Sequence, residues 1–155
     1  MTNARQKSPG PLVLGCGFPD RGDDAAGLFV ARRLKQLGWD AREQSGEVAA
    51  LLAAFQEGGS NRTVILVDAV QSGAPPGTVI RWDARAKPLP RESFHRSVHG
   101  LGVAEAVELA RVLGKLPDSL LIYGIEGASF AAGTEPCPEV LAGVEEAVRR
   151  ILEEV

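Results

Sequence analysis

The sequence predicts an α/β fold in which a five-stranded, mostly parallel sheet lies between two layers of helices, a three-layer α/β/α sandwich. Two observations support this prediction. Short apolar runs typical of strands alternate along the chain with longer segments whose apolar residues recur at helical spacing. The run Thr63–Val70 is almost entirely apolar and rich in β-branched residues, as expected of a central parallel strand that is buried on both faces. We expect residues 1–10 to be a flexible leader and residues 11–155 to form a single domain.

The first predicted unit is a strand, a glycine-rich turn and a helix. The strand is the apolar run Leu12–Leu14, and the turn has the sequence GCGFPDRG. A helix is predicted over about residues 23–37 and ends at Gly38, a typical C-terminal residue of helices. Its expected apolar stripe consists of Gly27, Val30, Leu34 and Leu37. The loop of such a unit lies at the carboxyl edge of the sheet, where open α/β folds build their sites.

The middle of the chain supplies two further strands and a helix. A weakly indicated edge strand is predicted at about residues 39–44, and the alanine- and leucine-rich residues 47–56 predict a helix. The strand at about residues 78–82 follows Thr63–Val70 after a short gap that holds two prolines and a glycine. That gap is too short for the crossover between parallel neighbours, which takes a dozen or more residues. We therefore predict that residues 78–82 run antiparallel to the rest of the sheet.

The second half of the chain contributes the last strand and two helices. A long loop is predicted over residues 83–98, followed by a helix at about 101–113, a strand at 119–125, and a closing helix at 138–155 after a glycine-containing loop. The inward faces of the two helices are expected to comprise Val103, Ala106, Val107 and Ala110 in the first, and Val140, Val144, Ala147, Val148 and Ile151 in the second.

Composition argues against several classes of function. The net charge of −3 indicates no basic surface, so we expect no nucleic-acid partner. No apolar run approaches the roughly 18 residues of a membrane span, and residues 1–10 lack the apolar centre of a secretory signal. We therefore expect a cytoplasmic protein with no membrane partner. Cys16 and Cys137 are far apart in sequence and are expected to be free thiols, and the absence of a CxxC motif argues against structural zinc.

Three residues that could carry chemistry stand next to predicted elements. Asp24 follows the first strand, Asp68 lies near the carboxyl end of Thr63–Val70, and His99 opens a helix after the long loop. If the strands are parallel neighbours, two carboxylates and one imidazole meet at one edge of the sheet. Such a set suits a divalent transition metal with open coordination positions, because carboxylate oxygen and imidazole nitrogen are both competent ligands.

Each of these residues also has a purely structural interpretation. An aspartate such as Asp23 or Asp24 at a helix start is commonly a helix cap, and His99 alone could be a cap or a core histidine. Asp68 is harder to explain without a site. An ionised carboxylate in an apolar strand costs several kcal/mol unless it is paired or bound to a metal.

Other candidates are weaker. His95 and His99 have the i, i+4 spacing of a helical metal pair, but residues 96–98 precede the predicted helix, so His95 is left out of the set. Cys16 could be a soft ligand or a nucleophile, although a small buried residue is the simpler interpretation. Glu126 shares the same sheet edge, or is only a solvated loop residue. The glycine turn matches the dinucleotide-binding fingerprint poorly, because its third glycine is displaced.

Six segments, taken together and in order, resemble one known family over about residues 12–152. They are LGCGFPDRGDDAAG (14–27), LVDAV (66–70), PPGTV (75–79), SVHGLGV (97–103), YGIEG (123–127) and CPEV (137–140). The chain resembles the [NiFe]-hydrogenase maturation endopeptidases, which trim the C-terminal tail of the hydrogenase large subunit. The resemblance implies a phosphorylase/hydrolase-like sheet of five strands with helices on both faces.

The resemblance also implies roles for individual residues. It makes Asp24 the first acidic metal ligand, Asp68 the second and His99 the third, and it makes these three the catalytic residues. The implied metal is nickel carried by the substrate, for which zinc or cadmium would substitute in the isolated protein. The implied partner is the large-subunit precursor, and the implied active species is a monomer.

Three positions depart from the family pattern. Phe18 stands where the family usually has Asn, Gly127 where it usually has Pro, and Cys137 where a Ser helix cap is common. None of these positions is an implied metal ligand. Phe18, however, bears on the contacts of the first loop and therefore on the identity of the substrate.

Three functions follow as hypotheses. The first is a nickel-dependent endopeptidase, in which Asp68 is either a ligand or a general base that activates water. The second is a non-catalytic, metal-binding checkpoint protein that binds the precursor without cleaving it. The third is a nucleotide-binding module built on the glycine turn, against which the absence of a GxGxxG motif or a phosphate-loop lysine counts.

Overall fold

In the part of the chain that the structure describes, the sheet has five strands and the predicted mixture of directions. The structure, a computed structural model, describes residues 10–58, 62–94 and 102–154. Its strands lie in the order β2-β1-β3-β5-β4, and among the strand pairs of these described residues only β4–β5 is antiparallel. The strands are β1 (Leu12–Cys16), β2 (Asp40–Gln44), β3 (Thr63–Val70), β4 (Val79–Asp83) and β5 (Ser119–Glu126).

Helices cover both faces of this sheet, which confirms the three-layer α/β/α architecture. The α-helices are α1 (Ala26–Gln36), α2 (Val48–Gly58), α3 (Val103–Val112) and α4 (Pro138–Glu153). α1 and α4 bury one face of the sheet, and α2 and α3 bury the other. The predicted inward residues of α3 and α4 are all buried. Within the described residues, no helix combines the length and the apolar character needed to cross a membrane.

The antiparallel strand β4 follows from the short turn after β3, as predicted, and that turn is held by Glu126. The Glu126 side chain is buried, and its carboxylate accepts hydrogen bonds from the Ser72 N–H (3.0 Å), the Ser72 hydroxyl (2.6 Å) and the Gly73 N–H (3.3 Å). The interpretation of Glu126 as a solvated loop residue is therefore wrong. These bonds compensate for burial of the carboxylate at the end of β5.

The first helix begins differently from the prediction. A 3-10 turn over Gly22–Ala25 precedes α1, so Asp23 and Asp24 lie in that turn rather than at the start of the α-helix. Leu37, expected in the buried stripe, is half exposed. It is the C-cap residue, and Gly38 after it has a positive φ of 91° and turns the chain toward β2. The stripe therefore ends with Leu34.

A close approach between α1 and the sheet fixes the position of the turn that carries Asp24. A Cβ atom on Gly27 would lie 2.4 Å from the Cys16 carbonyl oxygen and 2.5 Å from the Val67 carbonyl oxygen. A Cβ atom on Gly15 would lie 2.1 Å from the Gly27 carbonyl oxygen. Only glycine at both positions lets the helix backbone rest directly on β1 and β3.

We predict that Gly27→Ala destabilises the protein although alanine favours helix formation by about 1 kcal/mol. The methyl group meets backbone atoms that cannot rotate away, and such overpacking costs about 1–3 kcal/mol. Urea unfolding would measure the loss against Gln36→Ala, an exposed α1 position where we expect no loss. Equal stability of Gly27→Ala and wild type would contradict the close packing of α1.

Candidate active site

Asp24 and Asp68 lie in one cleft at the carboxyl edge of the sheet. Asp68 is near the end of β3, which is flanked by β1 and β5, and Asp24 is in the turn that follows β1. The free space in the cleft is about 20 Å³, comparable with the room that one water molecule occupies. The cleft is lined by Cys16, Gly17, Phe18, Asp24, Ser45, Gly46, Asp68, Gly102 and Val103.

Asp68 and Asp24 are buried to the same extent, but the surroundings of Asp68 disfavour its charged form. Its residue surface is 7% exposed, and among the described residues its single hydrogen bond is donated by the N–H of the next residue, Ala69, to Oδ1 (2.9 Å). Burial raises the pKa of Asp68 well above its usual range, the negative charge of Asp24 raises it further, and the Ala69 bond opposes both. The other oxygen, Oδ2, has no hydrogen-bond partner within the part of the chain that the structure describes.

Asp24 is positioned by the backbone of the first loop. Its Oδ2 accepts a hydrogen bond from the Phe18 N–H (3.1 Å). A Cβ atom on Gly17 would lie 2.0 Å from the Asp24 carbonyl oxygen, so the loop needs a glycine at this point. The hydrogen bond to Asp24 uses the backbone N–H of residue 18, so it forms whether this residue is Phe or the usual Asn. The phenylalanine side chain instead changes the lining of the cleft.

Cys16 borders the cleft as a buried, neutral thiol. Its residue surface is 1% exposed, and its Sγ makes a weak hydrogen bond to the Leu14 carbonyl oxygen (4.0 Å). Burial, followed by the negative charges of Asp68 and Asp24, raises the pKa of the thiol well above its usual range. A thiol held neutral is a poor nucleophile and a poor metal ligand. These properties favour the interpretation of Cys16 as a small buried residue.

Asp23 is fully buried and does not cap its own helix, which corrects the interpretation of this residue as an N-cap. The N-cap residue is Arg21 for the 3-10 turn and Ala25 for α1, and neither makes a side-chain capping bond within the described residues. The Asp23 carboxylate instead accepts hydrogen bonds from the N–H groups of Ala128 (2.6 Å), Ser129 (2.9 Å) and Cys137 (2.8 Å). It thereby ties the first loop to the loop before α4.

The same contacts account for two further observations. Burial opposes ionisation of Asp23, but hydrogen bonds from Ser129, Ala128 and Cys137 outweigh it and hold the pKa of the carboxyl below its usual range. Cys137 is the N-cap residue of α4, yet its side chain makes no capping bond. The Asp23 carboxylate accepts the Cys137 N–H, so the start of α4 does not need the hydroxyl of the serine that is common at this position. Both cysteines are free, as predicted.

The two histidines, His95 and His99, lie outside the described residues, so His99 stays a prediction as the third site residue. Within the described ranges, no group of three or more His, Cys, Asp or Glu residues is placed to hold a metal ion. The described part of the site therefore contributes two carboxylates, one of them with an unpartnered oxygen. A cation or a proton placed between Asp24 and Asp68 would relieve their mutual repulsion, so the donor set fits a divalent ion completed by further ligands.

Sequence reasoning did not place four of the nine cleft residues at the site. Ser45 and Gly46 follow β2. Gly102 is the N-cap residue of α3, Val103 is its first residue, and the Glu105 carboxylate accepts the Gly102 N–H (2.9 Å). The sequence did indicate that Ser45 and Gly46 follow a strand and that Gly102 and Val103 lie at a helix start. It did not indicate that these residues lie beside Asp24 and Asp68, because that depends on the order of the strands in the sheet.

Comparison with known proteins identifies a matching family and several similar proteins. The family model described as hydrogenase maturation protease (HycI) matches residues 46–154. Protein FrxA of Pyrococcus furiosus is 29% identical over 133 residues, covering 84% of this chain and 94% of its own.

Two solved structures show the same similarity. The hydrogenase maturating endopeptidase HybD from Escherichia coli has a TM-score of 0.71 at 27% identity, with 94% of this chain and 91% of that chain covered. A hydrogenase 2 maturation peptidase from a Thaumarchaeota archaeon has a TM-score of 0.64 at 27% identity, with coverages of 94% and 97%.

The raised pKa of Asp68 predicts a pH-dependent stability difference between wild type and Asp68→Asn, measured without added metal. The folded state favours the protonated form of Asp68. Relative to the unfolded state, this stabilisation is complete below the unfolded-state pKa of about 3.9 and is lost as the pH rises through the folded-state pKa. Asparagine carries no charge, so the variant does not lose this stabilisation. In denaturant unfolding, the free energy of unfolding of Asp68→Asn should therefore rise relative to that of wild type between pH 4 and pH 8.

The matched control is Asp118→Asn, which removes an exposed carboxylate. We expect it to follow the wild-type pH profile. A difference between Asp68→Asn and wild type that does not change with pH would contradict the burial of a repelled carboxylate at this position.

Asp23→Asn should have the opposite dependence on pH. The amide replaces an acceptor oxygen with a donor that faces backbone N–H groups, at a cost of about 1.5–3 kcal/mol at neutral pH. Because the wild-type pKa is lowered, the contribution of Asp23 is present above the unfolded-state pKa and is lost as pH falls through the folded-state value. Unfolding of the variant at pH 7 and at about pH 3 tests this. A variant as stable as wild type at pH 7 would show that the loop contacts of Asp23 are dispensable.

Proposed function

Since the chain belongs to the hydrogenase maturation protease family, we propose that it removes the C-terminal extension of a [NiFe]-hydrogenase large-subunit precursor after nickel has been inserted. Membership supports a processing endopeptidase role. The proposal adds the substrate, the nickel that the substrate carries and the residues that recognise it. It places the reaction in the cytoplasm, with the monomer as the active species.

The observation that carries the proposal is the pairing of Asp24 with Asp68 in one narrow cleft. A carboxylate as buried as Asp68 is normally compensated by several hydrogen bonds or by a cation. Asp23 and Glu126 are compensated in that way by backbone N–H groups or a hydroxyl. Asp68 leaves one oxygen without such a partner among the described residues, and this supports a role toward a bound group.

We assign the following roles. Asp24 and Asp68, together with His99, complete the coordination of nickel held by the precursor. Binding in this way places the peptide bond before the extension where a water molecule can attack its carbonyl carbon. In a second version of the proposal, Asp68 is not a ligand but accepts the proton of that water as a general base. The nickel supplies Lewis-acid polarisation or lowers the pKa of the water.

Incubation with nickel-loaded precursor, followed by mass spectrometry of the product, tests the proposal. We expect the precursor to lose its C-terminal extension. Asp24→Asn, Asp68→Asn and His99→Ala should each lower the rate by about 100-fold or more, whereas Asp118→Asn should cleave as wild type does. A precursor of unchanged mass, bound by wild-type protein, would instead favour the non-catalytic checkpoint protein.

Titration of Asp68→Asn with Cd²⁺ or Ni²⁺ separates the two versions. Loss of both metal binding and cleavage supports Asp68 as a ligand. Metal binding that persists while cleavage is lost supports the general base. Zinc and cadmium are proposed to occupy the same site in the isolated protein, and competition between them and nickel would test this.

A further inference from the structure

Strand β2 is an open edge of the sheet with backbone groups that face away from its neighbour. The Gly17 N–H donates to the Gln44 carbonyl oxygen (3.0 Å), so Gln44 faces β1. Since the N–H and C=O of one residue point to the same side of a strand and alternate residues point to opposite sides, Ala41 and Glu43 face outward. Neither makes a backbone hydrogen bond to any described residue. Glu43 is exposed and offers a donor and an acceptor directly, whereas Ala41 is only 5% exposed and offers its pair only after an added strand displaces the atoms that cover it.

A groove runs along this edge between β2 and α1. It has a volume of about 230 Å³ and is lined by Ala31, Arg32, Lys35, Ala41, Arg42 and Glu43. Arg32 and Glu43 form a bidentate ion pair across it, with N–O distances of 3.0 and 3.1 Å. Most of the lining side chains are charged, and charged side chains also protect an open edge from self-association.

The edge leads directly to the two carboxylates. Ser45 and Gly46, the residues that follow β2, line the cleft that contains Asp24 and Asp68. From Ala41 to Gly46 is five residues, or about 16 Å of extended chain at 3.3 Å per residue. A peptide that entered the cleft could follow β2 over that length without leaving the protein surface.

We propose that the C-terminal extension of the substrate binds as an added strand on the outer edge of β2. This inference rests on the proposed function and deepens it by naming the conformation and the docking surface of the substrate. The bond to be cut lies at the cleft, at the carboxyl end of β2, and the extension starts there. It therefore runs antiparallel to β2, with alternate residues bonded to Ala41 and Glu43. Main-chain bonds of this kind bind extended peptides in many recognition domains.

The charge at the far end of the groove specifies the chemistry of the extension. Lys35 lies in the last turn of α1, near the start of β2, and it has no ion pair among the described residues. The other cations of the groove are engaged, Arg32 with Glu43 and Arg42 with Asp40 and Glu57. We infer that Lys35 meets an acidic side chain or the terminal carboxylate, about four to five residues after the cut bond.

The decisive variants are Glu43→Pro and Glu43→Ala. Both remove the ion pair with Arg32, but only proline removes the outward N–H, and edge strands tolerate proline at such positions. We expect Glu43→Pro to raise KM for the nickel-loaded precursor about 10-fold relative to Glu43→Ala, with kcat nearly unchanged, since a lost hydrogen bond of about 1.4 kcal/mol corresponds to a factor of ten. Equal KM values in the two variants would overturn the proposal.

A second measurement uses wild-type protein and does not depend on cleavage or on the fold of a variant. A synthetic peptide with the sequence of the extension is added to ¹⁵N-labelled protein, and the exchange of the Ala41 and Glu43 amide protons is followed by NMR. We expect protection of both. N-methylation of one set of alternate peptide residues should abolish protection, and methylation of the other set should preserve it. Protection that is equally sensitive to both sets, or absent at peptide concentrations of several millimolar, would overturn the pairing.

The outcomes separate this inference from the proposed function. A precursor that is cut while Ala41 and Glu43 stay unprotected by the peptide leaves the protease intact and removes the docking surface. Protection by the peptide together with an uncut precursor supports the docking surface and contradicts the protease function. Protection that grows with protein concentration and needs no peptide identifies a second copy of this chain as the occupant and overturns the proposal.

Discussion

The repulsion between two carboxylates in a narrow cleft is the constraint on which the functional interpretation depends. Asp68 is buried at the end of β3, and the charge of Asp24 raises its pKa further. The fold produces this arrangement because β1 and β3 are parallel neighbours that end at the same edge. The contact of Gly27 with the backbone of both strands brings the turn that carries Asp24 over the end of β3.

The buried carboxylates differ in how they are compensated, and the difference separates structural from functional roles. Asp23 accepts three backbone N–H groups and joins the first loop to the segment before α4. Glu126 is bonded to Ser72 and Gly73 and fixes the turn between β3 and β4. Asp68, among the described residues, accepts only a short-range backbone bond from Ala69. Burial alone would not have distinguished these residues, whereas their hydrogen-bond partners do.

Local patterns predicted the fold well because the strands and helices depend on short-range periodicity. The predicted bounds of Thr63–Val70 match those of β3, and the short gap after it correctly predicted an antiparallel β4. The errors concern contacts between distant parts of the chain. The partners of Asp23 lie more than 100 residues away, and those of Glu126 lie more than 50 residues away. Neither partner set leaves a signal near the residue itself.

The candidate site shows the same division. That Asp24 and Asp68 would meet followed from the rule that parallel strands end together, and the structure brings them into one cleft. The walls contributed by Ser45 and Gly102 could not be placed without the order of the strands, which no local pattern encodes. His99 lies outside the described residues and remains a prediction. The resemblance to the endopeptidase family named all three residues, and the comparisons support the family rather than those roles.

The most direct measurement of the central claim is the titration of the Asp68 carboxyl by ¹³C NMR in wild-type protein and in Asp24→Asn, without added metal. The structure predicts that Asp68 titrates well above the ordinary carboxyl range in wild type. It also predicts a fall in the Asp68 pKa when the charge of Asp24 is removed, with the part caused by burial remaining. An Asp68 that titrates in the ordinary range, and that does not respond to the change at Asp24, would contradict a shared cleft.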